Sequence, residues 1–487
     1  MQSHPSKAGN VKVWYTLEGK NAIPSEDTAP KNGVPDYAET VAAKLEETWQ
    51  ALIERDGFRP PLDDAQYHDR PDYGGDGRFD VYLQDIKSND GYRVTEACKT
   101  DRPQCAGYLV MENDFKGFGY PSQTRAIKVL ASHEFMHAIQ GAYLASIPRF
   151  WSEGTATWAE ERVFPEQRDY ERFLSVFFRS IDRPLDHEQS GNLGDSFPYG
   201  TAVWPTFLAQ RFDPAVITDI FEALANKGAE LSDPGDIDFW KLTDMVLEQR
   251  GSNLEEAFTE FGLWNLLTGD RRSAGSDQLG YEGADTWWQA KVAPLEWTGG
   301  PADGPLANVE ADLRHLTAEY SSFDLLPHAG ETVELKAYGR LRFAVLAVGG
   351  EGDAEPTYLA PAGAFDRATI ELPASGTLYV AAVNVDTETR TLQGSLKMHS
   401  TQSDQPDAGM MTDVGTPDAG AMVDSGGPDA GRVDTGADSN PSGEHAGSQT
   451  DGGCSQSGSR EPVAPLALVL VGVAAGLRVR RTARRRV

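Results

Sequence analysis

Residues 131–140, "ASHEFMHAIQ", place His133 and His137 four apart, with Glu134 directly after the first. The flanking run "TRAIKVLASHEFMHAIQGAYL" carries Ile127, Leu130, Phe135, Ile139 and Leu144 at helical intervals, which predicts a mostly buried helix. Residues four apart lie one above the other on a helix, so both imidazoles can face one metal ion. Glu134 is turned by about 100° from His133, so its carboxylate falls beside that ion, where it can take a proton from water. A zinc ion held this way lowers the pKa of bound water to about 7 and polarises a scissile carbonyl. The plain alternative is a buried histidine pair, and two imidazoles and a carboxylate without partners are costly inside a helix this apolar.

A catalytic zinc needs a third protein ligand and one open position. Sixteen residues after His137 comes Glu153, in "FWSEGTATWAEE". Pro148 marks a turn between the two segments, and Ser152 is a candidate cap for a second helix. If that helix runs antiparallel to the first, it returns Glu153 to the histidines. Trp151 and Trp158 would pack it in place, and Glu160, two turns further on, lies too far along to share the metal. The oxyanion formed in hydrolysis needs a hydrogen-bond donor; Tyr199 in "FPYGTAVW" is the first candidate, with His187 and Tyr143 behind it.

The pairing of an HExxH helix with a following glutamate helix resembles the gluzincin metallopeptidases. More narrowly, "GVPDY", "FDVYL", "HEFMHAIQ", "WSEGTATWAEE" and "YGTAVW" together resemble HExxH metalloproteases of myxobacteria and related bacteria, over about residues 11–270. The resemblance implies a zincin-like α+β domain, with His133, His137 and Glu153 as zinc ligands and Glu134 as general base. Two departures separate the chain from related branches. The thermolysin branch has an aspartate four residues after its glutamate ligand, where this chain has Thr157, so the partner of a ligand histidine is left unassigned. Metzincins continue with a glycine and a third histidine, where this chain has Gln140 and Tyr143.

The rest of the chain sets this segment in context. Its 487 residues favour several domains, and a net charge of −30 with a pI near 4.6 argues against nucleic-acid binding. Residues 11–145 read as an α+β half, including a helix over "AETVAAKLEETWQALIERDGF" and strands in "GRFDVYLQDI" and "GYLVMEND"; the latter is a candidate to run along a cleft and pair with substrate. Residues 146–300 read as a helical half, and the period-two runs of 301–400 as a small all-β sandwich, an accessory module. The loop "DTAPKNGVPD" has a faint calcium-loop character beside its simpler reading as an Asn-Gly turn. Cys98 and Cys105 close a short polar loop, either as a disulfide of an oxidising compartment or as two free thiols.

From residue 401 "PDAG" recurs at 406, 417 and 428, the composition of a disordered spacer reaching to 453. Residues 454–487 order a cysteine, a short apolar stretch and an arginine cluster. This tail resembles the C-terminal sorting signals of myxobacterial surface proteins, which implies Cys454 as the modified anchor. A weak tail anchor is the alternative, and either places the protein outside the cell, at the surface or released from it. The composite expectation is a monomeric, surface-held zinc endopeptidase acting on protein or peptide. Its rivals are a non-catalytic adhesion protein on a zincin-like fold and a zinc hydrolase of glycopeptides.

Overall fold

The computed structural model describes residues 1–65, 74–87, 89–99, 103–187, 195–231, 236–271, 279–287, 290–297, 306–324, 326–349, 357–360 and 365–401. The spacer and the sorting tail lie outside these residues. Among those described, no helix is long and apolar enough to cross a membrane.

The N-terminal part is a five-stranded sheet ordered β1-β2-β3-β5-β4. Its strands are β1 (Gln2–Pro5), β2 (Val11–Tyr15), β3 (Phe79–Gln84), β4 (Gly91–Cys98) and β5 (Cys105–Glu112). The central pairs β2/β3 and β3/β5 are parallel, and the outer pairs β1/β2 and β4/β5 are antiparallel. Helix α1 (Asp36–Trp49) lies in the β2 to β3 connection; it buries Val41 and Leu45 and continues as a π-helical turn through Arg55. Cys98 and Cys105 form a disulfide across the β4/β5 hairpin.

Helix α2 (Gln123–Tyr143) carries the HExxH segment and begins at Ser122, whose hydroxyl accepts from the Arg125 N–H. It packs between α1, β5 and α3 (Arg149–Val163), so its apolar residues cover every face. Phe135, fully buried, meets Trp49 on one side and Phe79 on the other. Truncating such a side chain costs about 3–5 kcal/mol.

The helical part continues with α4 (Glu171–Arg179), α5 (Phe197–Gly200), α6 (Val203–Arg211), α7 (Ala215–Glu230), α8 (Phe239–Glu248) and α9 (Leu254–Trp264). Two sheets follow. One is ordered β11 (Thr357–Ala360), β10 (Arg342–Gly349), β13 (Gly376–Asn384), β8 (Thr317–Asp324) and β6 (Leu295–Trp297). The other is ordered β12 (Arg367–Glu371), β9 (Thr332–Gly339), β14 (Leu392–Ser400) and β7 (Ala307–Leu313). They enclose their own core, with Val333, Leu335, Phe343, Val380 and Leu396 inside.

The outer face of the first sheet is also apolar and belongs to the same core as the helices: Ala318, Tyr320, Ala344, Ala381 and Val383 join Phe258 and Phe261 of α9. Gly262 allows this close approach, since a Cβ there would sit 2.9 Å from Val383, and Tyr320 donates its hydroxyl to the Gly262 carbonyl at 2.8 Å.

Two sequence expectations change here. "GYLVMEND" is not a cleft strand: β5 is interior, bonded to β3 on one side and β4 on the other. One of the two outer strands is β4, whose polar alternation, "GYRVTEAC", buries little. Nor does Ser152 cap the second helix, which starts at Arg149 after Pro148.

Candidate metal centre

His133 and His137 stand one turn apart on α2, with ring centroids 4.9 Å apart. Helix α3 returns antiparallel to α2, since residue pairs across the contact run in opposite directions (His133 to Glu160, Gln140 to Ser152). This brings Glu153 Oε2 to 3.5 Å from Nε2 of both histidines. Gly154, next in the chain, lets α3 lie on α5, because a Cβ there would be 2.8 Å from Thr201 Oγ1.

Among the described residues His133, His137 and Glu153 are the one such three-donor group, with ligand atoms all within 4.8 Å of one another. Glu153 Oε2 is buried and accepts no hydrogen bond. In a tetrahedral site with bonds of about 2.0–2.1 Å, neighbouring donor atoms stand about 3.3–3.4 Å apart. The observed 3.5 Å edges fit that geometry, and two imidazoles with one carboxylate are a zinc donor set.

Each imidazole is held from behind. His133 Nδ1 lies 2.7 Å from Glu160 Oε1, and His137 Nδ1 lies 2.9 Å from Gln140 Oε1. Gln140 is fixed in turn: its amide donates to the Ser152 carbonyl at 2.8 Å and to Thr155 Oγ1 at 3.0 Å, and its Oε1 accepts from Ser152 Oγ at 2.7 Å. With Nδ1 committed to these acceptors, both Nε2 atoms face the common centre. The unassigned histidine partner is therefore Glu160. It is too far along α3 to be a ligand, yet opposite His133 where the helices run antiparallel; its place two turns after Glu153, on the same face, is the sequence signal for it.

Glu134 is 8% exposed and does not take part in the donor set. It borders the start of β4, since a Cβ on Gly91 would be 3.4 Å from its Cγ. Burial pushes its carboxyl pKa up, against the lowering influence of the two histidines. Glu153 shifts the other way: burial alone would raise it, but the two imidazoles hold it well below the usual carboxylate range. His133 and His137 are raised despite burial, by Glu153 and, for His133, Glu160.

The three oxyanion candidates separate. Tyr199 stacks on the His133 ring at 5.8 Å and on Phe173 at 5.0 Å, at interplanar angles of 24° and 23°. Its hydroxyl pKa is driven well up by burial and then by Glu153 and Glu134, so it stays a donor. Tyr143 is fully buried, and its hydroxyl accepts from the Arg59 N–H at 2.8 Å. His187 has its pKa lowered by burial and by Arg183, and is not in the donor group. In the loop "DTAPKNGVPD", Asp27 accepts from the Asn32 and Gly33 N–H groups and Asp36 from those of Thr28 and Ala29.

No protein-family profile and no curated protein matches the chain. Among solved structures it is similar to the PliG periplasmic inhibitor of g-type lysozyme from Aeromonas hydrophila (18% identity, 22% of this chain, 94% of that one, TM-score 0.17). The Salmonella Typhimurium PliG is similar at 11% identity (22% and 96% covered, TM-score 0.16). A family GH115 4-O-methyl-α-glucuronidase with specificity for decorated arabinogalactans is similar at 9% identity (71% and 54% covered, TM-score 0.14). At TM-scores this low the likenesses carry no argument about fold or activity.

Proposed function

We propose that the chain is a zinc-dependent metalloendopeptidase of zincin-like fold, exported and held at the cell surface by its C-terminal tail. The observation that carries this reading is the convergence of His133, His137 and Glu153 with Glu134 beside them but outside the donor set. A structural metal site has no need of that carboxylate.

Zinc, when bound, supplies a Lewis acid that makes water a usable nucleophile near pH 7 and polarises the substrate carbonyl. His133, His137 and Glu153 would hold it. Glu134 accepts the proton of the attacking water as the new C–O bond forms, then delivers it to the amide nitrogen as the C–N bond breaks. The Tyr199 hydroxyl donates to the developing oxyanion. Glu160 and Gln140 keep the imidazoles in the tautomer that presents Nε2. Strand β4 is one of the two outer strands of its sheet and starts beside Glu134; its outer edge, unpaired among the described residues, suits pairing with an extended internal segment of a substrate.

The test is hydrolysis of casein by the full chain and by Glu134→Gln, with zinc content measured on both. The reading expects about one zinc per chain in each and cleavage by the wild type alone. Zinc in neither sinks it, and equal cleavage by both removes Glu134 from the mechanism.

A further inference from the structure

The two oxygens of Glu153 have different surroundings. Oε2 faces the two imidazole nitrogens, whereas Oε1 lies 4.0 Å from Nε of Arg149, one turn earlier on α3. Residues four apart on a helix stand over one another, so the backbone brings the two side chains within ion-pair reach. The Arg149 charge also acts on Tyr199 and on Asp195. Asp195 is already engaged: Arg183 donates to both its oxygens, through Nη1 at 3.1 Å and through Nη2, and the Phe197 N–H donates at 3.1 Å.

We propose that Arg149 is a positioning residue that keeps Glu153 a one-oxygen ligand; the inference rests on the zinc reading above. Its guanidinium draws Oε1 away from the centre, so Oε2 alone joins the two imidazoles. A carboxylate free to rotate can present both oxygens and fill the position that a catalytic site leaves open. Arg149 thus protects the place where water and the substrate carbonyl meet. An arginine suits this task, being permanently charged and offering a planar fork of donors.

Coordination number can be read without turnover, from the visible d–d absorption of the cobalt(II)-substituted full chain, which is strong for four-coordinate and weaker for five-coordinate cobalt. Wild type, Arg149→Gln and Arg149→Lys are compared at one equivalent of cobalt. Arg149→Gln is expected to keep the metal but lose about half of the band as coordination expands from four to five, and to lower kcat about 10-fold with KM nearly unchanged. Arg149→Lys, which restores a cation at the same position, is expected to recover most of the band. A glutamine variant with metal bound and a wild-type spectrum overturns this inference alone. So does a glutamine variant that binds no metal, because Arg149 would then be holding the site together instead of setting how Glu153 binds. Wild type that takes up neither cobalt nor zinc overturns the zinc reading, and this inference with it.

Discussion

Removing the carboxylate behind His133 gives a graded prediction for metal affinity. Glu160 is 3% exposed and its Oε1 lies 2.7 Å from His133 Nδ1. A hydrogen bond to a charged group contributes about 1.5–3 kcal/mol, and a neutral one about 0.5–1.5. Glu160→Gln keeps an acceptor at the same place and loses the charge, so the expected cost is about 1–1.5 kcal/mol, or roughly 5–10-fold in zinc affinity. Glu160→Ala removes the acceptor altogether and should weaken zinc roughly 30–100-fold, at the upper end of what such partners contribute. Competition with a chromophoric chelator at pH 7.5 gives both constants, and far-UV circular dichroism shows whether the fold survives. Folded Glu160→Ala that binds zinc as tightly as wild type would show that Glu160 does not support His133 as a ligand.

Three further perturbations probe other parts of the account. Tyr199→Phe keeps the stack on His133 and loses the hydroxyl alone, so zinc content should stand while kcat falls about 100-fold; an unchanged kcat assigns the oxyanion to another donor. Gly91→Ala puts a Cβ 2.8 Å from Leu130 Cδ1 and 3.4 Å from Glu134 Cγ, so casein hydrolysis should drop about 10-fold while stability falls by about 1 kcal/mol. Equal activity in titrated samples counts against the placement of Glu134 beside β4. Glu161 is raised to about 8, chiefly by burial and then by Glu171. The folded state therefore binds more protons than the unfolded state between about pH 4.5 and 8, and stability falls as pH rises through that window. Discounted for its partial exposure, the effect is about 1 kcal/mol; Glu161→Gln should flatten the thermal midpoint between pH 5 and 8.5, and a variant that keeps the wild-type slope excludes Glu161 as its source.

Much of the site is legible in the sequence because it is local. Four-residue spacing dictates where His133 and His137 point, and Pro148 dictates a turn that returns Glu153. The polar support around the histidines is less visible, since Glu160 becomes a partner of His133 only once two helices run antiparallel at a particular register. Gln140 shows the same limit: three residues after His137 on its own helix, it is recruited by the Ser152 and Thr155 groups of another. Strand β4 escapes pattern reading because an outer strand has little apolar alternation to display, and its position is set by pairing with β5. The attachment of the sandwich is hidden for a different reason. Strands β10 and β13 are apolar on both faces, which a single sequence reads as one core, whereas one face meets the β12-β9-β14-β7 sheet and the other meets α9.

Metal reconstitution asks whether His133, His137 and Glu153 hold a catalytic zinc. The full chain is stripped with a chelator, zinc is returned in steps, and casein hydrolysis is followed at each step. The stripped chain should not cleave, and recovery should be linear and level at about one equivalent, with none in His137→Ala. Cleavage that survives stripping, or zinc bound at full occupancy with recovery unaffected by His137→Ala, would contradict a catalytic zinc there.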